Sequence, residues 1–334
     1  MNPVRTIDTH THIITLETVK LLSKAAPKLN IAITPIDDSF AKLQAGDIVF
    51  PEFPTGGFDV TRRLKDMDDT DVDVQVLSVT PTTYLYGQEA DLCVETCIIQ
   101  NDQLAKLIAA HPTRFMGIGT LPMQAPERAA DELKRAMTKC GLRGAMFASN
   151  IAGKNLDDPS FEPLWATAEE LGAFMFIHPY TVAGADRLKS FYLGNLIGNP
   201  LDTTIAAACL IFGGVMHRHP KLKVVLAHGG GFTPYQAARW EHGWAVRPET
   251  KKYLKEQPTD IIGKFYYDTI LHSGKTLEAM IGLTGISRVV LGSDYPYDMA
   301  MMDCVKHVRS LSISDADKNR ILNGNAEALL STKA

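Results

Sequence analysis

The sequence lacks several features that define particular classes of protein. No apolar run is long enough to cross a bilayer, and no hydrophobic segment of the signal-peptide type precedes the first predicted strand. Basic residues are scattered and the formal net charge is -4, so the basic surface that nucleic-acid binding requires is missing. We therefore expect a cytoplasmic protein with neither a membrane nor a nucleic acid as a partner.

Cysteine is scarce, with 5 residues among 334, and the number is odd. The cysteines are Cys93, Cys97, Cys140, Cys209 and Cys304. They lie in apolar or helical contexts, and no second pair of metal ligands near Cys93 and Cys97 completes a zinc knuckle. This pattern predicts free thiols, mostly buried, in a reducing compartment.

Eight segments with strand character alternate with helical segments along the chain. The predicted strands span residues 7–12, 72–79, 115–121, 143–149, 173–178, 222–228, 265–270 and 288–294. Such alternation implies right-handed β-α-β units and a parallel sheet, and eight units fit an α/β fold of the (β/α)8 TIM-barrel type. A doubly wound open sheet is the alternative, but the glycine-rich phosphate turn typical of that fold does not follow the first strand.

The chain is predicted to form one domain over residues 1–334, because α/β barrels of this length are common. Residues 13–60 are punctuated by proline and glycine and are predicted to be an irregular insertion over the end of the first strand. Connections of that length inside a compact domain are usually functional loops. Residues 299–334 are predicted to form two closing helices.

Ionisable side chains occupy the ends of four predicted strands. His10 and His12 lie on one face of the first strand, since successive side chains alternate faces. His178 ends the fifth strand, His228 the sixth and Asp294 the eighth. In a barrel of this type the active site lies at the carboxyl ends of the strands. Three imidazoles and one carboxylate form a suitable ligand set for Zn²⁺, which leaves His228 as a general acid or base.

Each of these residues also has a structural interpretation of its own. His178 precedes Pro179 and would fit a hydrogen-bonded core histidine, whereas Asp294 would fit the cap of a turn. Their joint occurrence favours the metal site, because a buried carboxylate after an apolar strand needs a cation or strong donors. His272 follows the seventh predicted strand and is the one further histidine whose position is compatible with facing the cavity.

Several segments resemble the amidohydrolase superfamily, and within it the family of aminocarboxymuconate semialdehyde decarboxylase and related metal-dependent decarboxylases. The resembling segments are Ile7–His12, Met67-Asp68 with Val72–Val76, Phe176–Pro179, Ala227–Gly231, Leu291–Pro296 and Ile321–Ala326. The resemblance implies a distorted (β/α)8 barrel with an insertion after the first strand and one catalytic divalent metal, most often zinc, with Mn²⁺ as the alternative. His10, His12, His178 and Asp294 match the family's metal ligands.

The resemblance also implies an enzyme, a carboxy-lyase of aromatic-compound catabolism. His228 matches the family's catalytic histidine, which we expect to act with Asp294. Arg239 matches an arginine that reaches a neighbour's site in family dimers, so a homodimer or higher homo-oligomer is expected. Tyr180 and Tyr297 stand beside ligand positions and are predicted to contact substrate.

The expected reaction is non-oxidative decarboxylation of a small aromatic or unsaturated acid, of the muconate, hydroxybenzoate or aminobenzoate kind. The alternative is hydrolysis of a lactone or amide, or water addition, in the same site, and a third interpretation is a non-catalytic metal-stabilised barrel. The semialdehyde decarboxylase grips its substrate's carboxylate with an arginine in the insertion. Between Leu43 and Thr61 this chain has neither Arg nor Lys, so its substrate recognition is expected to differ.

Overall fold

Thirteen strands are present in the computed structural model, which describes residues 4–331. In chain order they are β1 (Ile7–Ile13), β2 (Ala32–Pro35), β3 (Phe40–Ala45), β4 (Ile48–Pro54), β5 (Val74–Val79), β6 (Phe115–Gly117), β7 (Gly144–Ala148), β8 (Asn150–Ile151), β9 (Lys154–Asn155), β10 (Phe174–His178), β11 (Lys223–Leu226), β12 (Tyr266–Asp268) and β13 (Val289–Val290). Eight of them, all parallel, correspond to the eight predicted strands: β1, β5, β6, β7, β10, β11, β12 and β13.

The eight parallel strands close into a barrel. One ladder joins β1, β5 and β6, and another joins β7, β10, β11, β12 and β13 in that order. The two ladders meet through parallel bridges between Gly119 and Ala145 and between Thr11 and Tyr295. At the second seam the His12 N–H donates to the Tyr295 carbonyl at 2.7 Å. Because β6 and β13 are short and both seams are single bridges, the predicted barrel is confirmed in its distorted form.

Helices follow the barrel strands and cover their outer face. They are α1 (Leu16–Ala25), α2 (Val60–Asp69), α3 (Ala90–Ala110), α4 (Pro126–Thr138), α5 (Glu162–Leu171), α6 (Asn199–Phe212), α7 (Val215–Arg218), α8 (Thr233–Val246), α9 (Pro258–Ile262), α10 (Gly274–Thr284), α11 (Cys304–Arg309), α12 (Asp315–Asn319) and α13 (Asn325–Leu330). Local sequence sets their ends: α4 starts at Pro126, and α5 stops at Gly172, whose φ is 64°. Every residue of β7 and β10 is buried, which explains their continuous apolar character.

The insertion after β1 is more regular than predicted. It contains α1 and a three-stranded antiparallel sheet, β2-β3-β4, in place of an irregular loop. β3 and β4 are joined by a tight turn at Gly46, which has φ 62°. Leu43 and Phe53 are buried with Ile14 in a small separate core, and the Phe50 ring contacts the Tyr297 ring at 5.5 Å. The insertion therefore lies over the carboxyl end of β1.

The closing segment also differs in detail from the prediction. α11 covers part of the first predicted closing helix, and α12 continues into α13 through a π-helical turn at Arg320–Gly324. Residues 332–334 of the predicted segment lie outside the described residues.

Contrary to the expectation that no apolar run is long enough to cross a bilayer, one helical stretch, Gly194–Phe212, has the length and apolar composition of a membrane span. In the barrel it packs near β10 and carries the buried Asp202. The Asp202 carboxylate accepts hydrogen bonds from the Asn150 amide, at 2.9 Å, and from the Ser149 hydroxyl, both just beyond β7. Ala206, Ala207, Leu210 and Ile211 of this stretch are buried, whereas Leu196 and Ile197 are exposed.

Candidate active site

Four potential metal ligands converge at the carboxyl end of the barrel. His10 and His12 come from β1, His178 from the last position of β10, and Asp294 from the turn after β13. Their ligand atoms all lie within 4.8 Å of one another, and all four residues are buried. His10 Nε2 lies 3.1 Å from His12 Nε2, which in turn lies 3.1 Å from Asp294 Oδ1. The structure thus brings together the four residues that the strand-end argument selected.

The hydrogen-bond network fits these four residues to a divalent cation. The Nδ1 atoms of all three imidazoles face oxygen acceptors: Asp268 for His10 at 2.7 Å, the Val79 carbonyl for His12 at 3.4 Å, and the Pro179 carbonyl for His178 at 2.7 Å. In the neutral form of each ring this places the proton on Nδ1 and leaves the three Nε2 lone pairs facing one another. His178 Nε2 is buried and has no hydrogen-bond partner within residues 4–331. Buried lone pairs that face each other are costly unless a cation lies between them.

Electrostatics keep most of this cluster in a form that can bind a metal. Burial lowers the pKa of His178 well below its ordinary value and also lowers that of His12, so both rings stay neutral. For Asp294, burial opposes ionisation, but the adjacent imidazoles of His12 and His228 outweigh it and hold the carboxyl pKa well below its usual range. Neutral imidazole and ionised carboxylate are the protonation states that metal ligands require.

Asp268 at the end of β12 supports the site and was missed by the sequence analysis. It is fully buried. Its Oδ2 accepts from His10 Nδ1 at 2.7 Å and from the His228 backbone N–H at 2.8 Å. Its Oδ1 accepts from the backbone N–H groups of Gly229, at 2.8 Å, and Ile270, at 3.1 Å. One carboxylate therefore fixes both the tautomer of a predicted ligand and the backbone that carries His228.

Two further buried ionisable residues connect the segments of the site by hydrogen bonds, and neither was predicted from the sequence. Asp8 accepts from the Ser293 N–H at 3.0 Å and from the Ser293 hydroxyl at 2.5 Å, which anchors the turn of Asp294 to β1. Burial raises the pKa of Asp8 to about 7. Arg63 from α2 is fully buried and donates to the carbonyls of His12 and Gly56. Asp8 thus fixes the start of β1, and Arg63 fixes its carboxyl end.

His228 lies beside the metal cluster, facing the cavity. Its Nε2 is 3.6 Å from Asp294 Oδ2, whereas the other oxygen of Asp294 faces His10 and His12. Nδ1 of His228 has no hydrogen-bond partner among residues 4–331. Asp294 therefore divides its two oxygens between the predicted ligands and the predicted acid–base histidine.

Three ionisable residues at the cavity adopt left-handed backbone conformations: His228 (φ 54°), His272 (φ 54°) and Asp294 (φ 65°). Residues with a Cβ rarely do so, and His and Asp are among the types that tolerate it best. The glycines after His228 serve the same turn. A Cβ on Gly231, which has φ 61°, would meet the Pro200 carbonyl at 2.1 Å, so this glycine permits close approach to the start of α6.

The cavity above the cluster has two lobes. The larger lobe, of about 290 Å³, is lined by Leu196, Phe232, Ile270, Leu271, His272 and Met299. The smaller lobe, of about 160 Å³, is lined by Phe50, Pro81, Thr82, His178, Tyr180 and Tyr297. Asn195, Asn199, His228, Asp294 and Met299 line both. Tyr180 and Tyr297 are therefore near the cluster, and His272 faces the cavity.

Arg239 is placed differently from the other predicted site residues. It is exposed on α8 and lines neither lobe of its own chain. A substrate contact within the same chain is thus not supported, and its predicted role in a neighbouring subunit's site stays a prediction.

Comparisons with known proteins agree with this architecture. The profile of the family described as Amidohydrolase matches residues 7–332. The 2-amino-3-carboxymuconate-6-semialdehyde decarboxylase of Dictyostelium discoideum is 36% identical over 322 residues, which cover 96% of this chain and 90% of that protein.

Solved structures of related decarboxylases superpose over almost the whole chain. The 5-carboxyvanillate decarboxylase of Sphingomonas paucimobilis is 28% identical, with a TM-score of 0.86 and coverage of 99% of this chain and 100% of its own. A dihydroxybenzoic acid decarboxylase from Polaromonas sp. JS666, solved with manganese and the inhibitor 2-nitroresorcinol, is also 28% identical, with a TM-score of 0.81 and coverage of 98% and 97%. Together with the family profile, these similarities establish that the chain belongs to the amidohydrolase family.

Proposed function

We propose that this protein is a metal-dependent decarboxylase that removes CO₂, without oxidation, from a small aromatic or unsaturated carboxylic acid. The observation that carries the proposal is the orientation of the Asp294 carboxylate. Its Oδ1 faces the imidazoles of His10 and His12, and its Oδ2 faces His228 at 3.6 Å. The enzyme class of the relatives supports it. We further propose a cytoplasmic homo-oligomer, at least a dimer.

His10, His12, His178 and Asp294 would hold the metal. Zinc is our first choice because it favours nitrogen-rich sets of this kind, and manganese is the second, since the Polaromonas relative was solved with it. A divalent cation bound there would polarise a substrate oxygen and offset negative charge that develops during the reaction.

His228 would act as the proton donor. Its side chain is 17% exposed and lines both lobes of the cavity, so the ring can regain a proton from solvent. The proton goes to the substrate carbon that bears the carboxylate. The bond between that carbon and the carboxylate then breaks, its electron pair restores the unsaturated system, and CO₂ leaves. Asp294 Oδ2, which lies 3.6 Å from Nε2, would orient the ring.

Aromatic side chains support an unsaturated substrate. Phe50, Tyr180 and Tyr297 line the smaller lobe, and the Tyr297 ring also contacts His12 at 5.2 Å. A planar ring packs favourably against such side chains. Neither lobe has a Lys or Arg among residues 4–331, so we propose that Arg239 of a second copy pairs with the departing carboxylate.

The test combines metal analysis with assays of CO₂ release. A screen of hydroxybenzoates, aminobenzoates and muconate-type acids should yield CO₂ with metal-loaded protein. His228→Ala should keep the bound metal and lose turnover by at least 100-fold, as expected for a general acid. His242→Ala, an exposed histidine on α8, is the matched control. Full activity in His228→Ala, or ring opening without CO₂, would overturn the proposal.

A further inference from the structure

The two lobes of the cavity differ in size and in chemistry. An apolar cavity of about 150 Å³ accommodates benzene, so the smaller lobe, at about 160 Å³, matches one aromatic ring. It is also the lobe that His178 lines. The larger lobe has about 290 Å³. A simple benzoate whose ring occupies the smaller lobe would therefore leave the larger one without substrate.

The walls of the larger lobe are mainly apolar. Leu196, Phe232, Ile270, Leu271 and Met299 are among its lining residues. No Lys or Arg lines it among residues 4–331. Of the two cations that we propose for the site, the metal would be held by His10, His12, His178 and Asp294, and Arg239 of a second copy is assigned to the departing carboxylate. A second carboxylate in this lobe would lose its hydration without gaining an ionic partner, which is costly.

Two side-chain amides stand where the lobes meet. Asn195 and Asn199 are four residues apart on one helical face and line both lobes. Neither amide makes a hydrogen bond to protein among the described residues, and each is half-buried. They offer neutral donors and acceptors beside His228, which suits an uncharged oxygen substituent such as a hydroxyl group.

We infer that the larger lobe selects acids that carry an uncharged apolar substituent, with Leu196 as a specificity-determining residue, and excludes acids that carry a second carboxylate there. The inference rests on the proposed function, since it names the class of acid for that same site. It separates this chain from a relative whose name specifies a dicarboxylate, such as the 5-carboxyvanillate enzyme.

The first test compares matched ligands on the wild-type protein loaded with manganese. Isothermal titration would measure the binding of phenols that lack a carboxylate ortho to the hydroxyl group and that carry either a propyl group or a carboxylate at the meta or para position. Each buried methylene is worth about four-fold in affinity, so the propyl phenols should bind at least ten-fold more tightly. Equal affinity, tighter binding of the carboxylate, or no binding of either ligand would overturn the inference.

The second test adds a cation to the lobe. Leu196 is 49% exposed and lines the larger lobe, whereas Ile197 is 43% exposed and lines neither. Leu196→Lys should reduce the ratio of the propyl phenol's affinity to the carboxylate phenol's affinity by about ten-fold, as expected for a hydrogen bond to a charged group. Ile197→Lys, which adds the same charge one residue away, should leave it unchanged. Size-exclusion chromatography would verify that both variants keep the wild-type assembly. Equal effects of the two substitutions would contradict a role for the lobe.

Turnover of the corresponding 2-hydroxybenzoates separates the two proposals. If both the propyl and the carboxylate acids release CO₂ with equal kcat/KM, the decarboxylase stands and the specificity inference fails. If neither acid is turned over but the propyl phenols still bind at least ten-fold more tightly, the inference about the lobe stands and the proposed reaction fails.

Discussion

Replacing Asp268 by Asn would test whether this buried carboxylate sets up the metal site. The wild-type carboxylate accepts four N–H groups, two on each oxygen. In Asp268→Asn one oxygen becomes an NH₂ group, so two N–H donors face another donor whichever way the amide turns. If the NH₂ group faces His10, the ring relieves the clash by moving its proton from Nδ1 to Nε2, the atom that should bind the metal.

The size of the effect follows from these contacts. Loss of an outer partner of a metal-binding histidine typically costs 10- to 100-fold in metal affinity, about 1.4–2.7 kcal/mol. If the NH₂ group instead faces Gly229 and Ile270, two buried N–H groups lose their acceptor, at about 1–3 kcal/mol each. That second orientation destabilises the fold more than it weakens metal binding. We therefore expect metal affinity to fall at least ten-fold, together with a lower free energy of unfolding.

The assay is a competition titration of metal-free protein with a chelator of known zinc affinity, paired with urea denaturation. Asp260→Asn, at an exposed position on α9, is the control for loss of one negative charge. If Asp268→Asn bound zinc as tightly as the wild type and released CO₂ at the same rate, the assignment of Asp268 as the residue that orients His10 would be refuted.

Three further predictions concern other parts of the site. Arg63→Met should lower the free energy of unfolding by about 3 kcal/mol, measured in urea without metal, because it leaves buried carbonyls without a donor. For His10, burial disfavours the charged ring, but the Asp268 hydrogen bond and nearby carboxylates raise its pKa above 6.5. Metal should then displace a proton, so apparent metal affinity should rise with pH through this range, and titration in buffers of different ionisation enthalpy should detect the released proton. Finally, Arg239→Gln should reduce turnover, and mixing it with His228→Ala should restore activity that neither variant has alone, if Arg239 acts across a subunit interface.

Each of these predictions has a result that would contradict it. Unchanged unfolding in Arg63→Met would mean that water replaces the guanidinium. Metal affinity independent of pH would argue that His10 is already neutral in the metal-free protein. Mixed variants that stay inactive after co-refolding would restrict Arg239 to its own chain, away from the cavity.

The ligand set was predictable from sequence because each ligand ends an apolar strand. In a parallel barrel all strand ends meet at one rim, so His10, His12, His178 and Asp294 needed only correct strand positions to be brought together. Asp268 obeys the same rule, since it ends β12. It was missed because the seventh strand was predicted to run to Ile270, which placed the carboxylate inside the strand and not at its end.

Other features depend on contacts that the sequence does not encode locally. Arg63 looks like any charged residue of a surface helix, and only the packing of α2 beneath the insertion buries its guanidinium. The antiparallel sheet of the insertion was not predicted because its prolines indicated an irregular loop. Two of them, Pro35 and Pro54, lie at strand ends, where they interrupt no hydrogen-bonded strand pairing. The turn at Gly46 was the available signal for this hairpin.

The left-handed backbone at the cavity restricts how this scaffold can be altered. His228, His272 and Asp294 hold conformations that cost most residue types on the order of 1–3 kcal/mol. Asp294→Glu and His228→Gln, which look conservative on paper, therefore combine a chemical change with a backbone penalty. A mutant library aimed at new reactions is best limited at these positions to Gly, Asn, Asp and His. The backbone thus limits which residue types these three positions tolerate. Substitutions in the apolar walls of the cavity, where the backbone imposes no such restriction, are the more accessible way to change the substrate.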